Sequence, residues 1–208
     1  MNAPQVADAI LGNNMFSYYD RPRIANLAEK AGLMQRALEH YEDLADIKRV
    51  VVHSNLFNTE WLVEYFGRLT VDQSLAALYE MLKSNMRQNL GVVVQIATRY
   101  SELLGAPRLI EMFESFRSFE GLYYYLGSVV NLSSDPEVHF KYIQAATRTG
   151  QVREVERICR ESNYYNPEKV KNFLKEVKLP DQLPLIIVCD RFNYVHDLVL
   201  YLYQNMLI

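Results

Sequence analysis

Two cysteines in 208 residues, Cys159 and Cys189, are too few for a disulfide framework, which fits a reducing cytosol. Each lies among apolar neighbours and reads as a small buried hydrophobe. The eight glycines are scattered singly, so no glycine-rich phosphate loop exists, and the Gly-x-Ser-x-Gly elbow of hydrolases is missing. No apolar run approaches the roughly 20 residues that cross a bilayer. The longest, Leu183 to Cys189, is short and contains Pro184. The stretch Met1 to Gln5 has neither the basic nor the apolar region of a signal peptide. A net charge of −3 and a pI near 5.8 give no electrostatic footprint for nucleic acid or an anionic membrane surface.

Chemistry-bearing clusters are equally scarce. His40, His53, His139 and His196 pair with no cysteine or carboxylate at metal-ligand spacing. His196 and Asp197 are neighbours, but adjacent helical residues point apart. Carboxylates such as Glu111 and Glu114 occupy charged helical faces and lack the buried setting a general acid needs. No catalytic, cofactor-binding or metal-ligating residue is therefore expected, and no cofactor. The densest basic spots, Arg21, Arg23 and Lys48-Arg49, have acids nearby in Glu29, Asp43 and Asp46. They read as a solvated face, with an anion site as the sharper alternative.

What remains is helix. Half of the residues are hydrophobic and 23% are charged, enough for a sizeable core. Asp20-Arg21-Pro22, Asp135-Pro136 and Asn166-Pro167 combine a capping side chain with a proline in the first turn. Thr70 and Gln73 have capping-box spacing, and Gly32, Gly67 and Gly150 stand where helices should stop. Between these marks the apolar period is helical. Leu75/Leu78/Tyr79/Leu82, Val170/Phe173/Leu174/Val177 and Val195/Leu198/Val199/Leu202 each form a stripe, with a shorter one at Val152/Val155/Ile158/Cys159. Glu156 and Arg160 have the favourable spacing for a helix pair. The pattern predicts helices at 3–11, 21–31, 34–45, 46–54, 59–66, 71–84, 87–103, 107–117, 119–130, 136–149, 151–161, 167–177, 181–190 and 194–205. Three segments, 122–126, 185–189 and 198–202, are polar-poor enough to be buried on two sides.

The order of these signals recurs. Lys30-Ala31-Gly32-Leu33-Met34 matches Arg148-Thr149-Gly150-Gln151-Val152. Asn58-Thr59-Glu60 then matches Asn166-Pro167-Glu168, and Leu69-Thr70-Val71-Asp72-Gln73 answers Leu179-Pro180-Asp181-Gln182. A degenerate repeat relating roughly 21–84 and 136–205 describes an all-α fold, an α-solenoid of stacked antiparallel helical hairpins running through 1–208. Such a thin core suits the 15 tyrosines, whose rings pack inward while the hydroxyls reach water. Tyr18-Tyr19 and Tyr164-Tyr165 each precede a helix start, as corner packing or as exposed anchors for a partner. The apolar tail at 205–208 predicts a piece of a longer array, and an elongated particle with a radius of gyration above the roughly 17 Å of a compact domain.

Long unbroken strings then narrow the reading. Residues 135–146 (DPEVHFKYIQAA), 151–162 (QVREVERICRES), 171–176 (KNFLKE), 181–192 (DQLPLIIVCDRF), 3–13 (APQVADAILGN) and 36–40 (RALEH) resemble the clathrin heavy-chain family, over essentially the whole chain. The sequence departs from the animal pattern at Tyr123, Tyr165 and across 74–81. The resemblance implies a non-enzymatic distal-leg segment, built of clathrin heavy-chain repeats, in the coat on pits and vesicles at the cytoplasmic face of membranes. Its implied partners are other heavy-chain legs. The resemblance places the adaptor-reading propeller, the trimerisation hub and the light-chain site of that family outside this segment. The alternative is a related α-solenoid tethering subunit of a vacuolar sorting complex.

Overall fold

A computed structural model describes residues 3–12 and 20–207. Among the described residues the chain is all-α: fourteen α-helices, two 3-10 turns and no strand. It divides into two compact units, Met1–Leu109 and Ile110–Ile208.

The first unit holds α1 (Ala3–Gly12), α2 (Arg21–Lys30), α3 (Met34–His40), α4 (Leu44–Val51), α5 (Thr59–Phe66), α6 (Val71–Arg99), α7 (Ser101–Leu104) and the start of α8 (Ala106–Ser115). Asp20 caps α2 by accepting from Arg23 N, and Asn58 caps α5 by accepting from Trp61 N. Thr70 and Gln73 form a complete capping box on α6. The turn from α2 to α3 requires glycine: Gly32 has φ 79°, and Leu33 N reaches back to Ala28 O at 2.8 Å. Ala25, Ala28 and Ala37 then let these two helices pack closely. Leu38, Ile47, Val51, Leu62, Phe66, Leu78, Met81 and Ile96 fill the core of the unit.

The second unit holds the rest of α8, α9 (Phe119–Val129), α10 (Pro136–Arg148), α11 (Val152–Glu161), α12 (Pro167–Val177), α13 (Leu183–Arg191) and α14 (Val195–Gln204). Asp135 and Asn166 cap α10 and α12 ahead of their prolines. Gly150 repeats the geometry of Gly32, with φ 76° and Gln151 N donating to Ala146 O at 2.8 Å. Phe113, Tyr125, Leu126, Ile143, Val155, Cys159, Val170 and Val188 form the core.

Four expectations need correction. The boundary between α3 and α4 lies at Asp43, whose carboxylate caps Ala45 N, not after residue 45. Leu44 continues the apolar period across the gap, so spacing alone hides the stop. The expected break between 71–84 and 87–103 is present, at Asn85 (φ −155°, ψ 86°), but the second of these helices ends earlier than expected, before Tyr100. The polar-poor segments are not buried on two sides: Tyr124, Ile186, Val199 and Leu200 are exposed. Each of these helices turns one face inward, and its far face stays wet despite being apolar. On α14 the buried residue is Tyr201, while Val195 and Val199 of the expected stripe are about half exposed.

Candidate functional surface

Each short connection leaves backbone carbonyls without helical partners. In both units, side chains from another helix or from the following turn take them up. Asn89 on α6 is fully buried. Its amide donates to Val52 O beyond α4 (3.0 Å) and to Met81 O in the first half of α6 (2.8 Å), and its oxygen accepts from the Ser54 hydroxyl (2.5 Å). One side chain thus joins the two halves of the interrupted helix to the neighbouring corner. The Tyr100 hydroxyl donates to Val63 O at 2.8 Å. In the second unit, Cys159 O at the end of α11 accepts from the Tyr165 hydroxyl (2.6 Å) and from Arg191 on α13 (2.5 Å). Arg191 also reaches Ser162 O and Asn163.

The tyrosines therefore do more than the sequence predicts. Several hydroxyls reach protein acceptors instead of water: Tyr41 donates to Glu29, Tyr142 to Glu154, Tyr100 and Tyr165 to carbonyls.

His139, expected only to pack, is almost fully buried and bridges two corners. Nε2 lies 2.7 Å from Ser133 O and Nδ1 lies 2.9 Å from the Ser162 hydroxyl. Since a carbonyl only accepts, Nε2 carries the proton, and in the neutral ring Nδ1 accepts from Ser162. His40 is buried against Arg36 O, whereas His53 and His196 are exposed. Among the described residues no three metal-ligating side chains converge. Both cysteines are buried thiols, and desolvation pushes Cys159 up to about 12. No described helix is long and apolar enough to cross a membrane.

Of the expected acids, Glu29 and Asp46 are brought to one basic residue, Arg49, whereas Asp43 caps α4 and Arg21 finds a different acid. Arg21 pairs with Glu42, and Arg49 with Glu29 and Asp46. Arg49 holds the Glu29 carboxyl below its usual range; the Arg157 hydrogen bond does the same to Glu154. The ion pairs on α11 run through Arg157, to Glu154 and Glu161, and not through the expected Glu156 and Arg160. Tyr165 is buried at its corner and Tyr164 is half exposed, its ring 5.4 Å from His139. Tyr18-Tyr19 lie outside the described residues.

The sequence reading gives no individual role to Asn89, Arg36, Lys171 or Arg191. Asn89 left a trace, because it shares the helical stripe of Val93 and Ile96. Lys171 is a buried lysine held by Asp197 at 2.5 Å, beside the apolar Val170. The match at Asn58 and Asn166 also extends back by four residues: Ser54-Asn55-Leu56-Phe57-Asn58 parallels Ser162-Asn163-Tyr164-Tyr165-Asn166. In both, the serine is buried in a polar tie, the fourth residue is buried and the third is exposed.

Comparison with known proteins agrees with this architecture. The clathrin family model, described as a region in clathrin and VPS, matches residues 1–90 and 97–208. The chain is 69% identical over 207 residues to the clathrin heavy chain of Drosophila melanogaster, covering 100% of this chain and 12% of that protein. It is 67% identical to human clathrin heavy chain 2, covering 100% of this chain and 13% of that protein. With the probable clathrin heavy chain 1 of Caenorhabditis elegans the identity is 70%, covering 99% of this chain and 12% of that protein. The chain thus spans about an eighth of the length of these curated relatives. A match this complete along the chain, at this identity, places it in the clathrin heavy-chain family.

Proposed function

We propose that this chain is a leg segment of a clathrin heavy chain and serves as a structural, non-catalytic part of the coat on pits and vesicles, at the cytoplasmic face of membranes. The observation that carries the reading is identity of 67–70% to heavy chains over essentially the full chain. The physical design agrees. A lattice strut needs a succession of hairpins, each fixed to its neighbour, and no reactive site. Ties such as Asn89 to Val52 and Arg191 to Cys159 supply that fixing. We further propose that residues 21–84 and 136–205 are diverged copies of one repeat within a continuous helical array over 1–208. Partners are other heavy-chain legs, which assemble through many weak contacts whose sum is steep in concentration. Light chains and adaptors engage other parts of the heavy chain. A vacuolar sorting tether is not favoured, because the relatives at 57–70% identity are clathrin heavy chains.

The test is a transplant. Residues 3–207 replace the matching segment of the Drosophila heavy chain, and cage formation is followed by sedimentation and electron microscopy. Cages should form as readily as from the parent chain. Trimers that never close into cages would refute the assignment.

A further inference from the structure

The turn after α3 faces the turn between α5 and α6 across an open groove of about 260 Å³, which nothing above uses. Its apolar lining is the partly exposed Leu69, with Leu38 and Ile47 already buried beneath. Three side chains that border it have hydrogen-bond donors uncommitted among the described residues. Tyr65 is only 5% exposed, its ring packed between Trp61 and Phe66, yet its hydroxyl has no hydrogen-bond partner among the described residues. Among the described residues no buried polar side-chain atom is left unsatisfied, so that hydroxyl meets solvent at the groove it lines. Arg68 is exposed and makes no ion pair among the described residues. Gln73 spends its oxygen on Thr70 N, which leaves its N–H donors uncommitted. The two acids at the rim are already engaged: Glu39 by Arg36 at 2.9 Å and Glu42 by Arg21 at 3.3 Å.

Uncommitted donors beside an apolar lining, with the local carboxylates already paired, call for an acceptor-rich ligand with an aliphatic neighbour. The volume lies just below that of small-molecule pockets and fits one or two side chains. We propose that this groove docks a short acidic–aliphatic peptide segment of a partner protein. One carboxylate sits on Arg68, Tyr65 and Gln73, and an adjacent aliphatic side chain lies on Leu69. A cationic peptide fits less well, because both rim carboxylates already hold arginines.

The test is a nuclear magnetic resonance titration of the isotope-labelled chain with three capped dipeptides, acetyl-Leu-Asp-amide, acetyl-Leu-Asn-amide and acetyl-Leu-Lys-amide. The aspartyl peptide should bind in the millimolar range and shift amides at 41–42 and 65–73, and the other two should bind at least about tenfold more weakly. Tyr65→Phe and Arg68→Ala should each weaken the aspartyl peptide by about tenfold. Tyr65→Phe should leave the thermal midpoint unchanged, since the hydroxyl it removes has no partner among the described residues; if it misfolds, Arg68→Ala at the exposed position decides alone. The proposal is overturned by equal binding of the asparaginyl peptide, tighter binding of the lysyl peptide, unchanged affinity in both variants, or no shifts up to about 20 mM.

Discussion

Replacing Asn89 removes one buried side chain and strands three groups. Met81 O lies in the last turn before the break at Asn85, Val52 O lies past the end of α4, and the Ser54 hydroxyl is buried at 5% exposure; all three lose the hydrogen bond that Asn89 supplies. Each buried unsatisfied group costs about 1–3 kcal/mol. In Asn89→Ala the space left by the amide admits about one water, which can serve two of the three groups. The expected loss is therefore about 3 kcal/mol, a large part of the roughly 5–15 kcal/mol that holds a domain folded. Asn89→Leu fills the space, excludes that water and strands all three groups, so it should cost more than alanine. That order is the reverse of an ordinary apolar core site, where filling the cavity helps. Ser54→Ala alone should cost about 1 kcal/mol and almost nothing in the Asn89→Ala background. Urea unfolding read by tryptophan fluorescence measures all four. Trp61 is the single tryptophan, lies in the same unit and has the Phe57 and Tyr65 rings at 5.8 and 5.5 Å. An alanine cost below about 1 kcal/mol, or leucine better tolerated than alanine, would refute the reasoning.

Gly32→Ala and Gly150→Ala should each cost about 1–2 kcal/mol by denaturant titration followed by circular dichroism, for backbone reasons alone. Both positions have left-handed φ, and an added Cβ meets nothing within 4 Å at either. A difference above about 1 kcal/mol would show that the two turns are not equivalent. Cys159 and Cys189 should resist a thiol reagent at pH 8 until the chain unfolds, because burial raises both thiols, Cys159 to about 12. Labelling at the rate of a free thiol would contradict their placement. The Glu154 carboxyl, lowered by Arg157, contributes stability that is full above its unfolded value of 4.5 and is lost as pH falls through the lowered folded value. Glu154→Gln should therefore flatten the fall in thermal midpoint between about pH 5 and pH 3, and an unchanged acid limb would remove this pair from the account.

Helix starts were legible because capping chemistry is local. Asp20, Asn58, Thr70, Asp135 and Asn166 each act on a backbone N–H two or three residues ahead. The ties between hairpins were not, because Asn89 meets Ser54 across 35 positions and Arg191 meets Cys159 across 32. No periodicity encodes such a pairing, although a polar residue inside an apolar stripe, as at Asn89, marks where one must occur. Burial failed where composition was trusted over geometry. The run Leu198 to Leu202 is apolar throughout, but only one side of α14 is covered, by α13 and by the Lys171 and Lys175 stems of α12 that touch Asp197, Tyr194 and Tyr201. The groove beside Tyr65 was invisible for the same reason, since a hydroxyl without a partner is a property of the fold and not of the residue.

These ties also explain why tyrosine outnumbers phenylalanine here by 15 to 9. A run of short helices has many helix ends, each with carbonyls that the helix itself leaves unpaired. A phenylalanine at such an end would bury area and leave the carbonyl bare. A tyrosine buries nearly the same area and closes the carbonyl as well, as Tyr100 does at Val63 and Tyr165 at Cys159. A tie of this kind fixes the distance between successive hairpins more tightly than apolar contact, because a hydrogen bond tolerates only a few tenths of an ångström. Stiffness is thereby set hairpin by hairpin, by single side chains. Changes at Asn89, Tyr100, Tyr165 and Arg191 should accordingly loosen one local joint each, while the helices on either side keep their own caps and cores.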